Sequence, residues 1–572
     1  MSESNTIVES LIQHAKARPD LVAYRYVDSE QGAAETMTYQ QLLDAAQVIA
    51  SQLMQSAIVG DRIVLVFEPG LDFIRHFFGC LLAGLVAVPV YPPAGSKTWP
   101  RFALLVKDCG ATMIVCDKNN QPFLLSQYKA LSQPITLLCT KDLHHLPQYH
   151  PQPLHKDQLA FIQYTSGTTG SPKGVMISHL NLRSNLALLR QAYDATPSDH
   201  MVSWLPVYHD MGLVGAILAV AWISCPLTFA APLYFIRKPI RWMKLLSQYR
   251  ATITGCPNFG YALCHDRIAE AELTGLDLSS VKTFCVGAER TRPETIAPFI
   301  KRFKSIGVKQ TAFINCYGMA ETTLVISSTD NHTQLKTLVV DKQQLAEYVI
   351  TESEEGIDLT SCGKPRGHKI IIVNPNSYAL CKEKTVGEIW VSGLSVSQGY
   401  WQNSTLTSAH FNLELAYLPN CVFFRTGDLG FIYDDELFVC GRKKELIILH
   451  GRNYYPQDIE QIIAPIHAAI RKDAIAAFAI ESTHTEQLVV VLEIYRKALN
   501  SINLSDLAAE IRYAISQALG LMLKDVKFVK QSSLPFTSSN KLQRQRIKEH
   551  YLNGSLALIK PVERKVTAIM AE

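Results

Sequence analysis

The sequence predicts an α/β protein with a large N-terminal domain, in which helices sandwich parallel-rich sheets, and a small α+β C-terminal domain. Three observations support this fold class. The chain has 572 residues, which is too long for one hydrophobic core. Short apolar strands alternate with helices through the first 440 residues. After that point the alternation ends and a compact, strand-rich pattern replaces it.

The alternation is clear near the N-terminus. Thr38–Gln41 is a capping-box pattern that opens a helix running to about Gln55. A strand at Arg62–Phe67, a helix near Leu71–Leu82 and a strand at Val86–Val90 follow. Strand–helix–strand units of this spacing predict parallel strands covered by helices. The rhythm recurs at four later segments, Ala160–Tyr164, Ala251–Gly255, Thr283–Val286 and Ala312–Asn315.

The C-terminal part reads as an α+β module of roughly 110 residues. Its predicted strands are Glu445–His450, Ala474–Ile480, Gln487–Tyr495 and Asp525–Lys530. One predicted helix is Pro456–His467, with proline in its first turn, and a second is capped by Ser505 and ends at Gly520. We therefore expect two domains, residues 1–441 and 442–572.

Composition excludes several classes of protein. Hydrophobic residues make up 48% and charged residues 19%, as in a soluble globular protein. The net charge of +4 gives no reason to expect nucleic acid as a partner. The thirteen cysteines include no CxxC pair, and the N-terminus lacks the pattern of a signal peptide, so we expect reduced thiols in a cytoplasmic protein. Gly212–Ala231 is long enough for a membrane span, but its polar residues favour a buried core segment, and we expect no integral membrane insertion.

The most informative stretch is Tyr164–Gly174, which follows an apolar strand. It holds three glycines, five threonine and serine residues and one lysine, and Ser178 then caps a helix. Glycines let backbone N–H groups approach phosphate oxygens, hydroxyls add donors, and lysine supplies a positive charge. The spacing does not fit the GxxxxGK[ST] pattern, so this is not a Walker loop. The stretch predicts a phosphate-binding loop of another kind.

Six segments in order along the chain resemble the motifs of the acyl- and aminoacyl-adenylating superfamily. That superfamily includes acyl-CoA ligases, luciferases, peptide-synthetase adenylation domains and fatty acyl-AMP ligases. The segments are Tyr164–Gly174, Trp204–Gly212, Asn315–Thr323, Phe424–Asp428, Gly441–Lys444 and Leu534–Lys541. The resemblance implies an adenylate-forming enzyme that uses ATP and Mg²⁺ to convert a carboxylic acid to an acyl-AMP. It also implies that the small C-terminal domain is mobile.

The resemblance assigns roles to individual residues. Glu321 follows a Tyr-Gly turn at a strand end, where α/β sheets place ligands, and would hold Mg²⁺. Tyr317 would lie against adenine, Asp428 would accept from the ribose hydroxyls, and Arg442 would meet ribose or phosphate. The other implied ATP- and AMP-binding residues are Thr165, Ser166, Gly167, Thr168, Thr169, Gly170, Lys173, Gly287, Ala288, Glu289, Asn315, Gly318, Met319 and Ala320.

Catalysis is assigned in the same way. Lys541 resembles the mobile catalytic lysine that bridges the carboxylate and the α-phosphate, and Lys444 occupies the usual hinge position. Glu321, Thr165 and His209 complete the expected catalytic set. The expected acyl-binding residues are His209, Asp210, Met211 and Phe259, although a core histidine remains an alternative for His209.

Four clusters resemble fatty acyl-AMP ligases in particular: Tyr208–Gly212, Pro257–Phe259, Val286–Glu289 and Tyr317–Thr322. A long insertion at about 324–361 is typical of that family, where it is connected with exclusion of coenzyme A; a surface loop without this function is the alternative. The implied substrate is a medium- or long-chain fatty acid, and the implied acceptor is the phosphopantetheine of an acyl carrier protein. The alternatives are a fatty acyl-CoA ligase and a non-catalytic acyl or nucleotide sensor.

Three positions depart from the superfamily pattern. Ala320 stands where many members have a phosphate-binding threonine, and Asn540 replaces the glycine before the catalytic lysine. Arg452-Asn453 replaces the His-Arg or Tyr-Arg pair of CoA ligases, which favours weak use of CoA.

Overall fold

The computed structural model describes residues 6–28, 34–93, 95–96, 98–128, 131, 134–140, 149–165, 172–449, 452–481, 486–499, 501–537 and 541–559. The chain divides into two compact units, the first formed by residues 1–339 and 358–439 and the second by residues 340–357 and 440–572. Residues 340–357, within the predicted insertion, thus group with the C-terminal residues.

The α-helices are α1 (Ile7–Ala17), α2 (Tyr39–Leu53), α3 (Leu71–Leu82), α4 (Trp99–Cys109), α5 (Gln121–Gln127), α6 (His179–Ala192), α7 (Asp210–Gly212), α8 (Ala219–Ile223), α9 (Pro232–Arg237), α10 (Ile240–Gln248), α11 (Asn258–Arg267), α12 (Pro293–Phe303), α13 (Lys342–Ala346), α14 (Ser404–His410), α15 (Pro456–Ile463), α16 (Leu504–Leu519) and α17 (Arg544–Leu552).

The strands are β1 (Val22–Val27), β2 (Ala34–Thr38), β3 (Arg62–Val66), β4 (Val86–Val90), β5 (Met113–Cys116), β6 (Thr136–Cys139), β7 (Leu159–Thr165), β8 (Lys173–Ser178), β9 (Met201–Ser203), β10 (Leu227–Ala230), β11 (Ile253–Cys256), β12 (Thr283–Val286), β13 (Phe313–Gly318), β14 (Val325–Ser328), β15 (Thr337–Val340), β16 (Ile357–Thr360), β17 (Lys364–Pro365), β18 (Lys369–Val373), β19 (Gly387–Ser392), β20 (Leu413–Glu414), β21 (Val422–Tyr433), β22 (Glu436–Arg442), β23 (Ile447–Leu449), β24 (Arg452–Tyr454), β25 (Ile470–Glu481), β26 (Glu486–Ile494) and β27 (Leu523–Lys530).

Two large sheets organise the first unit, and this confirms the predicted α/β class. One has nine strands in the order β17-β14-β13-β12-β11-β9-β10-β1-β2, and the other has six in the order β6-β5-β3-β4-β7-β8. The central strands of both sheets are parallel, and antiparallel pairs occur towards the ends. A smaller antiparallel sheet contains β18 to β22, and β15 pairs with β16.

Helices cover both faces of each large sheet. In β3, Ile63 and Leu65 pack into one apolar cluster with α1, α2, α3 and α6, whereas Val64 and Val66 pack into another with α4 and α5. A third cluster lies between the nine-stranded sheet and helices α10 to α12. Because successive side chains of a strand point to opposite faces, a strand buried on both sides is apolar throughout. This explains why the central strands carry continuous apolar runs.

The second unit has its own core, formed by the antiparallel hairpin β23–β24 and the sheet β25-β26-β27 with helices α15 and α16. Three sequence predictions need correction here. The helix predicted to reach His467 ends at Ile463, because Pro465 has no backbone N–H to continue the helical hydrogen bonds. The N-cap of α16 is Asn503, whose Oδ1 accepts from Ser505 N at 3.0 Å, and not Ser505 itself. The first strand begins at Ile447, after a 3₁₀ turn.

The apolar stretch Gly212–Ala231 lies in the core of the first unit. It forms a π-helix at Leu213–Leu218, then α8 and β10, and its side chains belong to the largest apolar cluster. Within the described ranges, every helix falls short of the length or apolar character needed to cross a bilayer.

Candidate functional site

The predicted phosphate loop joins two paired strands of the six-stranded sheet. β7 runs parallel to β4 and antiparallel to β8, and Thr165 is directly opposite Lys173. Tyr164 Oη donates to Asp108 Oδ2 at 2.5 Å, which fixes the end of β7 to α4. Thr165 and Lys173 therefore mark the two ends of the loop. Five predicted residues between them, Ser166, Gly167, Thr168, Thr169 and Gly170, lie outside the described residues.

A second group of predicted residues lies at the carboxyl ends of two adjacent parallel strands. Gly287, Ala288 and Glu289 follow β12, and Asn315 lies in β13 opposite Val286. Ala288 has φ of 71°, an uncommon value for a residue with a side chain. Such strand ends are where α/β sheets bind ligands.

Asn315 has a defined set of partners. Its Oδ1 accepts from Thr291 Oγ1 at 2.7 Å, and its Nδ2 donates to Ser361 O at 2.7 Å. The Asn315 amide therefore holds the loop after β12 in place. The same side chain also lies next to the residues that are predicted to bind the nucleotide.

Glu321 lies in a tight turn that carries Met319 and Ala320 and returns the chain antiparallel to β13. A Cβ added at Gly318 would overlap the carbonyl oxygen of Leu324, so only glycine fits there. Asn185 of α6 supports the far side of the turn, where its Nδ2 donates to Thr322 O at 3.1 Å and to Val325 O at 2.9 Å. These contacts therefore fix the backbone that carries the Glu321 carboxylate.

This crowding gives a testable prediction for Gly318→Ala. The added methyl group must push Leu324 away and displace Glu321. We expect the rate of acyl-AMP formation, the reaction that the resemblance implies, to fall by at least about tenfold. Pyrophosphate release measures the rate. Gly70→Ala is the matched control, because a Cβ at Gly70 meets its nearest atoms only at 4.0 Å. Equal rates for the two variants would contradict the prediction that position 318 requires glycine.

Tyr317 and Asp428, predicted for adenine and ribose, are in direct contact. Tyr317 Oη donates to Asp428 Oδ2 at 2.9 Å, and both residues are buried. Burial, together with the neighbouring Asp428 carboxylate, raises the pKa of the Tyr317 hydroxyl well above its ordinary value. The phenol therefore remains a donor to Asp428. The fold brings β13 and β21, far apart in sequence, to one place.

The predicted acyl-binding residues fall into two groups. His209 Nδ1 lies 2.6 Å from Asp210 Oδ1, and both side chains are largely but not fully buried. Met211 lines an internal cavity, and Phe259 packs against Trp204 in a separate apolar cluster. The other cavity-lining residues are Tyr193, Met201, Val202, Ser203, Leu205, Gly215, Ala216, Ile253, Thr254, Gly255 and Cys285. His209, Asp210 and Phe259 are not among the cavity-lining residues, whereas Met211 is.

The cavity adjoins residues that are predicted to bind the nucleotide. A Cβ added at Gly287 would lie 3.9 Å from Met211 Cε, and Cys285, which also lines the cavity, is two residues before Gly287 in the chain. The lining is mostly apolar, and the π-helix, a form often found at functional sites, contributes Gly215 and Ala216. The space has room for only about one water molecule, however, so this conformation does not hold an aliphatic chain.

Three predicted residues belong to the second unit. Arg442 ends β22 and Lys444 lies in the following 3₁₀ turn, and both are exposed. Lys541 precedes α17. Its backbone N donates to Thr537 Oγ1 at 2.9 Å, and its backbone O accepts from Thr537 N at 2.8 Å. Thr537 and Lys541 are therefore joined by two hydrogen bonds, one of which uses the Thr537 hydroxyl.

Sequence reasoning missed two residues that contact the Glu321 turn, Asn185 and Tyr400. Tyr400 Oη donates to Glu321 Oε1 at 2.9 Å. Neither residue is charged, and each is far from Glu321 in sequence, so the sequence offered no spacing that would connect them.

Comparison with known proteins places the chain in a family. Residues 11–401 match the model of the AMP-binding enzyme family, and residues 444–561 match the AMP domain of Disco-interacting protein 2-like proteins. The chain is 34% identical to the medium-chain-fatty-acid acyl-carrier-protein ligase JamA of Moorena producens, over 97% of this chain and 96% of the relative. It is also 34% identical to the long-chain-fatty-acid AMP ligase FadD26 of Mycobacterium tuberculosis, over 96% and 98% of the two chains.

A solved structure agrees with this assignment. The fatty acyl-adenylate ligase of Legionella pneumophila, in complex with acyl adenylate and pyrophosphate, superimposes with a TM-score of 0.75 and 33% identity, covering 98% of each chain. The fold, the order of the motifs and these similarities agree, and the chain belongs to the AMP-binding enzyme family, within its fatty acyl-AMP ligases.

Proposed function

We propose that the protein activates a medium- or long-chain fatty acid with ATP, forming acyl-AMP and pyrophosphate, and then transfers the acyl group to the phosphopantetheine of an acyl carrier protein. The observation that carries the proposal is the proximity of the predicted acyl-binding and nucleotide-binding residues, since a Cβ added at Gly287 would lie 3.9 Å from Met211 Cε. An acid whose chain begins beside Met211 would have its carboxylate near the residues proposed to bind ATP. The similarity to the medium-chain-fatty-acid acyl-carrier-protein ligase JamA and the long-chain-fatty-acid AMP ligase FadD26 supports this choice of acid and acceptor.

In the first step, a carboxylate oxygen attacks the α-phosphorus and the bond to the pyrophosphate oxygen breaks. Such a reaction depends on positioning and on neutralising charge, and it needs no protein nucleophile. Tyr317 and Asp428 hold adenosine, Thr165 and Lys173 bind phosphate at the ends of their loop, and Lys541 supplies positive charge at the α-phosphate. In the second step, the phosphopantetheine thiol attacks the acyl carbonyl and AMP leaves.

The donor set around Glu321 fits Mg²⁺. In the described part of the chain, no cluster of three or more histidine, cysteine, aspartate or glutamate residues could hold a metal by itself. Mg²⁺ is commonly bound by one or two carboxylates together with substrate phosphates and water, so Glu321 and a bound triphosphate suffice. When bound, the metal supplies charge neutralisation at the triphosphate. Glu321 would hold and orient it.

The function is tested with purified protein, ATP, Mg²⁺ and a mixture of straight-chain acids from octanoic to octadecanoic acid. We expect acyl-AMP in the mass spectrum and pyrophosphate release that depends on the acid. A protein that consumes no ATP with any of these acids would be a sensor rather than an enzyme, and the proposal would fail.

The choice of acceptor draws support from residues 340–357. Within the second unit, Asn453 Nδ2 donates to Ala346 O at 2.9 Å, and Arg452 Nη2 lies 3.6 Å from Glu347 Oε1. The ion pair is half exposed and therefore weak, so the support comes from Asn453, which stands where CoA ligases have an arginine and donates to this segment. We expect more acyl thioester with phosphopantetheinylated carrier protein than with free CoA. Equal yields in parallel assays of the two acceptors would favour the acyl-CoA ligase alternative.

A further inference from the structure

The segment 397–401 connects the end of the phosphate loop to the Glu321 turn. Along one side it pairs with β8: Gln398 N donates to Met176 O at 3.0 Å, and Trp401 N donates to Gly174 O at 2.7 Å. On the other side, Ser397 N donates to Glu321 O at 2.8 Å. These bonds all come from the main chain, so they depend little on the side chains of the segment.

Tyr400 is the residue of this segment whose side chain reaches both functional groups. Its hydroxyl donates to Glu321 Oε1 at 2.9 Å, and Lys173 Nζ lies 5.4 Å from the centre of its ring. In the described part of the chain, Glu321 Oε2 accepts no hydrogen bond. A carboxylate held through one oxygen keeps the other in a fixed direction, which is what a metal ligand requires.

The ring of Tyr400 is itself fixed. The residue is 5% exposed, and Phe411 packs edge-on against it with ring centres 5.2 Å apart. Tyr400 N donates to Thr407 Oγ1 at 3.0 Å, so α14 holds its backbone as well. The hydroxyl therefore reaches Glu321 from a rigid base and loses little conformational freedom in making the bond.

We propose that Tyr400 is a positioning residue for Glu321 and Lys173: its hydroxyl orients the metal-binding carboxylate, and its ring face keeps the lysine cation beside the phosphate loop. The inference rests on the proposed role of Glu321 as metal ligand. A hydroxyl that donates to an ionised carboxylate makes a strong, charge-assisted bond. Loss of such a partner behind a metal ligand typically costs about 10–100-fold in metal affinity or activity.

The test compares Tyr400→Phe with wild-type protein. Phenylalanine keeps the ring over Lys173 and the packing on Phe411, and removes the hydroxyl that Glu321 accepts from. We expect the Mg²⁺ concentration for half-maximal pyrophosphate release, at saturating ATP, to rise about tenfold. A second readout needs no turnover. In the absence of fatty acid, Mg²⁺ should raise the melting temperature of the ATP complex of wild-type protein. In Tyr400→Phe this rise should be smaller at the same Mg²⁺ concentration and should be restored at about tenfold more Mg²⁺.

Tyr249→Phe is the matched control. Arg25 Cζ lies 4.7 Å from the centre of the Tyr249 ring, so this variant also removes a hydroxyl beneath a cation, but away from Glu321. Its Mg²⁺ dependence should equal that of wild type. If Tyr400→Phe has the Mg²⁺ dependence of wild type by both readouts, the positioning role of Tyr400 is wrong. The proposed function is not contradicted by that result. If Mg²⁺ does not raise the melting temperature of wild-type protein with ATP, Glu321 does not bind the metal as proposed. The inference is then wrong, whatever the outcome of the fatty acid assay.

Discussion

Lys541→Ala is expected to lower the rate of acyl-AMP formation by about 10²–10³-fold, the usual cost of losing one donor that stabilises charge in a transition state. The loss should fall mainly on kcat, because the lysine acts on charge that develops at the α-phosphorus. The loop itself should survive the substitution. Both contacts between Lys541 and Thr537 use the backbone N and O of Lys541, which alanine keeps.

The measurement is pyrophosphate release at saturating ATP, Mg²⁺ and fatty acid, with melting temperature as a check on folding. Lys524→Ala is the matched control, since Lys524 is an exposed lysine on β27 of the same unit. A Lys541→Ala enzyme within about threefold of wild type would exclude a contribution of the size that such a donor makes.

Arg544→Ala is expected to destabilise the second unit by about 3–5 kcal/mol, as is typical when one partner of a buried ion pair is removed. Arg544 Nε and Nη2 donate to the two Glu460 oxygens at 2.7 Å each, and Nη1 donates to Glu445 Oε2 at 3.0 Å. Burial alone would lower the pKa of the guanidinium, but the two carboxylates raise it above its ordinary value. Without Arg544, Glu460 is left buried with its charge unpaired.

Because a chain with two units need not unfold in one step, hydrogen exchange followed by mass spectrometry is the better measurement. Peptides from β25 and β26 should lose protection in Arg544→Ala and keep it in Arg546→Ala, an exposed arginine two positions along α17. Arg544→Lys should be intermediate, since an ammonium cannot reproduce the planar fork of donors. Equal protection in all three variants would contradict the buried network.

Local sequence signals predicted much of the fold. The Thr38 capping box is present, with Gln41 N donating to Thr38 Oγ1 at 3.2 Å and Thr38 N donating to Gln41 Oε1 at 2.9 Å. The helix Leu71–Leu82 and the strand Val86–Val90 have the predicted bounds, because burial makes both nearly continuous apolar runs. Element ends were less certain, as the early end of α15 before Pro465 shows.

Contacts between distant parts of the chain could not be predicted in this way. Tyr400 and Glu321 are 79 residues apart, and Asn453 and Ala346 are 107 apart. Neither pair shares a periodic pattern, and neutral hydrogen-bonding residues such as Tyr400 and Asn453 have no charge to indicate a partner. The resemblance to a family supplied the candidate site residues, whereas the folded structure supplied the groups that hold them.

The second unit takes its residues from two separate stretches of chain, 340–357 and 440–572. A ribosome that adds about 5–20 residues per second delivers the first stretch several seconds before the second begins to emerge. During that interval α13 has no β24 to pack on, and Asn453 has yet to reach the Ala346 carbonyl. A gene fragment that starts at Cys440 would encode most of the second unit but not residues 340–357. The encoded fragment would therefore be less stable than the same residues in the whole protein.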